Sequence, residues 1–247
     1  MFSRKGSGYI KYMLSSCSTA AMILYGPTAA PANYTITAVD NISLGGNNIG
    51  NIDYSGSGKF NILTYTNTGS VNFKGIAGTF SLTSGTLTGT VDSTVSSNGI
   101  ISFGGNGSIT GDIGSSNAVS ALNFTGTYTA DLGGANITIS QINANADNTG
   151  TVKLSNAGGM SFTGTAGAPA TRLNTFQWTT GKVLTLSNAA IYASTLNGIG
   201  AGSTITIAGD TTLQGSIGTN AVTTINNGTK LTLYGTTTYT PTINAAN

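Results

Sequence analysis

The sequence predicts an all-β chain wound as a parallel β-helix, a β-solenoid of roughly eight to ten rungs at about 22–26 residues each. Three observations predict it. A short phrase, an apolar residue, a spacer, a glycine, a spacer and another apolar residue, recurs as Leu87-Thr-Gly89-Thr-Val91, Ile109-Thr-Gly111-Asp-Ile113, Phe162-Thr-Gly164-Thr-Ala166 and Leu213-Gln-Gly215-Ser-Ile217. Short runs alternate apolar and hydroxyl or amide residues along the whole chain. No helical period lasts a dozen residues.

The glycines Gly89, Gly111, Gly164 and Gly215 are 22, 53 and 51 residues apart. The sequence reading takes this as one step of a unit and two double steps, with these glycines defining the repeat. A tail follows three of the four phrases. Gly111 leads to Leu122-Asn123, Gly164 to Leu173-Asn174 and Gly215 to Ile225-Asn226, at distances of 11, 9 and 10 residues. Loops of variable length between fixed strands are what a stack of rungs tolerates, because an insertion bulges outward.

Taken in order, residues 1–32 read as an export signal. Arg4, Lys5 and Lys11 form a basic start, and Tyr12–Tyr25 is apolar but too short and too polar to span a bilayer. Ala30-Pro-Ala32 offers a small-residue cleavage site. Cys17 is the single cysteine and falls inside this segment, so the mature chain, 33–247, is expected to hold no disulfide.

From Asn33 the alternating runs begin: Tyr34–Val39, Asn61–Thr66, Val71–Phe73, Phe80–Leu82 and Ile100–Phe103 in the first half. Asn136–Ser140, Thr151–Leu154, Lys182–Leu186, Thr204–Ile207 and Lys230–Tyr234 follow in the second. A period of two puts apolar side chains on one face and Thr, Ser or Asn on the other, the pattern of half-buried strands. Asn98-Gly99, Asn106-Gly107 and the Asn-Thr-Gly triplets at 67–69 and 148–150 are read as turns, since Asn and Gly accept positive φ. Trp178, the only tryptophan, is expected in the interior, and Arg172 in a solvated loop.

Charge excludes several function classes. Only 6% of residues are charged, and His and Glu are absent. The nine basic residues include three in the first eleven, leaving six against seven Asp, a net of −1, and no basic patch for nucleic acid. Without His or a mature Cys there is no Ser/His/Asp or Cys/His arrangement and no zinc site of those ligands. Asp92 and Asp112 are the best-spaced carboxylates for neighbouring rungs, and a turn or surface role is the expectation for both. In Gly104-Gly-Asn-Gly107 the start of a calcium-binding nonapeptide is present, but Ile109 stands where its carboxylate belongs. No cofactor and no metal is expected.

The phrases 103–114, 151–158 and 213–218 resemble the passenger repeats of rickettsial surface cell antigens, including outer membrane protein B and related autotransporters. The resemblance covers about residues 45–240 in style. It implies an exported β-helical passenger at the cell surface, the outer membrane or outside the cell, acting in adhesion to host cells or as a surface coat. Implied partners are host-cell surface proteins or glycans, with self-association through end rungs and membrane contact only through a separate translocator barrel. The family's C-terminal barrel has no counterpart up to Asn247. Two other readings stand beside this one: a carbohydrate-active β-helix enzyme, a polysaccharide lyase or hydrolase, and a truncated gene remnant without independent function.

Overall fold

The computed structural model describes residues 21–24, 34–37, 41–46, 49–198, 202–217, 221–240 and 242–245. The expected export signal lies outside these residues, apart from Ala21–Leu24, a strand paired in parallel with Asn41–Leu44. Cys17 and Ala30-Pro-Ala32 also lie outside them.

Among the described residues every regular element is a β-strand, and every pairing between strands is parallel; the one antiparallel contact is an isolated bridge between Ala168 and Thr171. The chain is a three-sided parallel β-solenoid. Its course shows in one file of residues on the first side: Ile42, Phe60, Phe80, Ile101, Leu122, Ile142, Ala166, Ile191, Leu213 and Leu233, each paired with the next. Ten residues make nine steps, hence about nine turns. At about 4.8 Å per step the rod is about 43 Å long. Successive steps take 18 to 25 residues, six of the nine below the 22–26 expected and three within it.

A second file, from Tyr34 through Ile52, Val71 and Val91 to Ile113, Ile137 and Phe162, marks the third side. The second side begins later, with Thr66–Thr68, and its inner file runs Asn67, Leu87, Ile109, Leu132, Leu154, Trp178. Between the sides the chain bends at corners. Val183–Gly198 is an exception, a continuous strand that pairs on all three sides in turn.

Period-two alternation puts Ile, Leu, Phe and Val inside, where almost all are fully buried. At about 1.5–3 kcal/mol for each buried side chain of that size, these files are the main source of stability. Rings stack along them: Tyr54 lies 4.9 Å from Phe73, and Phe162 meets Phe176 edge-on at 5.3 Å. The buried Tyr54 hydroxyl donates to the Thr79 carbonyl at 2.7 Å, and burial pushes its pKa up. Trp178 is completely buried, as expected. Gly198 sits next in its file, and a Cβ there would come within 2.9 Å of the indole.

Two sequence readings need correction. In Asn67-Thr-Gly69 only the glycine lies at a bend: Thr66–Thr68 is a strand, and Asn67 points inward in the place that Leu87 and Ile109 occupy in later turns. Its buried amide serves the preceding corner. Oδ1 accepts from Ile49 N and Nδ2 donates to the Gly50 carbonyl, both at 2.8 Å. Asn98-Gly99 likewise opens the strand Asn98–Phe103, with Gly99 at φ +78° inside it.

Candidate functional site

The four repeat glycines all lie at corners, but not at the same one. Gly89 and Gly111 stack in one column between the second and third sides, together with Gly69 and Gly134; a Cβ on Gly111 would come 2.5 Å from the Gly89 carbonyl oxygen. Gly164 turns from the third side to the first, at φ +121°, against the carbonyl of Ile139. Gly215 turns from the first side to the second, at φ +133°, against the carbonyl of Ala193. The intervals of 53 and 51 residues are therefore not two turns each. The recurring phrase is the end of one side, a corner and the start of the next side. It marks a bend that any of the three corners can use, because each asks the backbone to pass close over the turn before it.

Asp92 and Asp112 each reach into the loop of the following turn. Asp92 accepts from the backbone N–H of Ser116 (3.1 Å), Asn117 (3.3 Å) and Ser93 (2.9 Å), and from the Ser115 hydroxyl (3.1 Å). Asp112 accepts from Ala135 N (2.8 Å), Asn136 N (3.1 Å) and Asn136 Nδ2 (3.1 Å). Burial pushes both carboxyls up, yet these hydrogen bonds together outweigh it and hold each below its ordinary range. Both act as clasps between turns. Arg172 likewise grips Asp147 through Nε (3.0 Å) and a terminal nitrogen (2.8 Å), and Asp147 is held at about 2, chiefly by that side-chain contact. Asp210 accepts from Lys230 N at 2.9 Å, one turn on.

What the rod presents to a partner is its outward files. On the second side one reads Thr129, Thr151, Thr175, Thr195, Ser216 and Thr238, six hydroxyls in register over six turns. The adjacent outward file reads Ser108, Asp131, Lys153, Gln177 and Asn197. In it Lys153 Nζ pairs with Asp131 Oδ2 at 2.6 Å, which leaves the face nearly neutral.

At the upper end of these files lies a shallow cleft of about 360 Å³, lined by Ser84, Gly85, Thr86, Asn106, Gly107, Ser108, Thr129 and Asp131. The strands of three turns build it, and Thr86, Ser108 and Asp131 are the outward residues of its floor, while Gly85 and Gly107 face the core. Some of its groups are already paired: Ser108 Oγ donates to Thr86 Oγ1 at 2.9 Å, and Thr129 N donates to Asn106 Oδ1 at 2.9 Å. Asp131 Oδ1 is buried and has no hydrogen-bond partner. Neither this cleft nor a role for Asp131 is legible in the sequence alone. Its only signal would have been an Asp and a Lys in matching places of successive turns, which shows once the turn length is known.

Among the described residues no group of three or more His, Cys, Asp or Glu could hold a metal ion. No helix among them is long and apolar enough to cross a membrane.

Fold and surface together define a parallel β-solenoid that displays polar ladders. No protein family, no curated protein and no solved structure matches the chain.

Proposed function

We propose that the chain is a non-enzymatic, autotransporter-passenger-like protein of the cell surface, the outer membrane or the extracellular space, acting in adhesion or as a coat. The observation that carries this reading is the second side: outward Thr, Ser, Asn and Gln held in register along a rigid axis, with binding spread over a surface. Two further features support it. The best-spaced carboxylates, Asp92 and Asp112, are saturated by the loops they clasp. Apolar side chains stand open at Leu233, Tyr234 and Ile243, which are 43%, 46% and 50% exposed and offer a surface for association with a second copy.

Protease shaving of intact cells tests the location. Peptides from residues 33–247 released while a cytoplasmic marker stays intact are the expected result, and their absence from cells that make the protein overturns it. Sedimentation at rising concentration tests self-association, which a strict monomer at high concentration would refute.

A further inference from the structure

We infer that the cleft around Asp131 is a binding site for a neutral saccharide, one sugar unit seated between the turns of Ser84, Asn106 and Thr129. The inference names the partner class of the display surface and rests on that reading of it.

The cleft contains a carboxylate oxygen with no donor from the protein. A carboxylate oxygen buried without a donor is costly, and native structures rarely leave one so. Asp131 Oδ1 has no hydrogen-bond partner within the protein on a side chain that is 30% exposed, while Oδ2 is held by Lys153 at 2.6 Å. The final torsion of an Asp side chain is broad, so a modest turn of the carboxylate presents Oδ1 to the cleft it lines.

The donor that fits is a hydroxyl. A second cation is not called for, because Lys153 already balances the charge. An anion would meet the carboxylate. An apolar group would find a lining of hydroxyls, amide and backbone.

A sugar ring suits the remaining groups as well. It carries several hydroxyls that both donate and accept; Ser84 and Ser108, whose protons go to the Thr83 carbonyl and Thr86 Oγ1, offer it lone pairs, and the Thr86 and Thr129 hydroxyls line the same cleft. The Asp131–Lys153 pair sets an acceptor and a donor side by side, the arrangement that holds two neighbouring hydroxyls of one ring. Below the cleft the outward file continues through Gln177 and Asn197 at about 4.8 Å per turn. A chain of sugars laid along the axis would meet an amide or hydroxyl at each turn.

The test is a titration of the purified chain, followed by NMR, with four probes: cellotriose, mannotriose, N-acetylchitotriose and, as an acidic control, 3′-sialyllactose. At least one neutral trisaccharide is expected to shift the Asp131, Asn106 and Thr129 amides, with a Kd on the order of 1 mM. Asp131→Asn should weaken it about tenfold or more, and Ser84→Arg, which fills the cleft from an exposed position, should abolish it. Thr206→Ala, on another side, should leave it unchanged. The inference is overturned if no neutral probe shifts those amides at about 10 mM, if the shifts map elsewhere, if only the sialylated probe binds, or if folded Ser84→Arg binds as the wild type does. A chain that binds none of the probes yet is released by shaving intact cells sinks the saccharide site and leaves surface display standing. The reverse result sinks display alone.

Discussion

Asn67 is a fully buried polar residue that serves two backbone groups of the preceding corner. Its amide is buried, accepts from Ile49 N and donates to the Gly50 carbonyl, each at 2.8 Å. Asn67→Leu would complete an unbroken apolar column, the new side chain standing above Leu87 and Ile109, and burying it would contribute about 1.5–3 kcal/mol. Two backbone groups would lose their partners in a buried place, at about 1–3 kcal/mol each, or about 2–6 kcal/mol together. The expected outcome is a net loss of about 1–3 kcal/mol, although the substitution raises the apolar content of the core. Asn67→Ala, which adds a cavity to the same two losses, should cost more. Urea unfolding followed by circular dichroism gives the total. Amide exchange at Ile49 shows whether the loss sits at the corner that Asn67 serves, and that amide should exchange faster in both variants. An Asn67→Leu protein as stable as the wild type, with Ile49 exchange unchanged, would refute the reasoning.

Other substitutions separate the contributions further. Gly111→Ala should cost about 1–3 kcal/mol by urea unfolding, because its Cβ meets the Gly89 backbone at 2.5 Å, whereas Gly228→Ala, open on every side at φ +77°, should cost about 1 kcal/mol. Phe80→Ala, fully buried between Phe60 and Ile101, should cost about 3–5 kcal/mol in the same assay. Asp147 has a folded-state pKa held down at about 2 from an ordinary 3.8, so its contribution is complete above the higher value and is lost as pH falls through that window. Asp147→Asn should flatten the acid limb of a stability-versus-pH curve there, and an unchanged limb would count against the pairing with Arg172. Trp178 should emit in the blue when native and shift to the red on unfolding, and quenching of the native signal by added iodide would contradict its burial.

The parallel coil was legible because it rests on local rules. Alternation at Thr151–Leu154 and Thr204–Ile207 marks the strands and which residues face inward, and the structure has those strands at Thr151–Leu154 and Ser203–Ile207. Asn67 was misread because its Asn-Thr-Gly has the composition of a turn, while the buried partners that make it a strand residue lie 17 and 18 residues back. The roles of Asp92 and Asp112 were hidden for the same reason, since the amides they hold lie up to 25 residues on. The cleft at Asp131 stayed out of sight because it depends on register. Thr86, Ser108 and Asp131 come together only when turns of 22 and 23 residues bring them into line.

Because one glycine phrase is found at each of the three kinds of corner, such a rod can change length in an unusual way. A chain with a single kind of corner must gain or lose whole circuits to keep its oily residues pointing inward. Here Gly111, Gly164 and Gly215 show the same bend working at all three edges of the prism. An insertion or deletion of a single edge would rotate everything downstream by a third of a circle and still leave the core filled, so this architecture can grow by increments smaller than its own pitch.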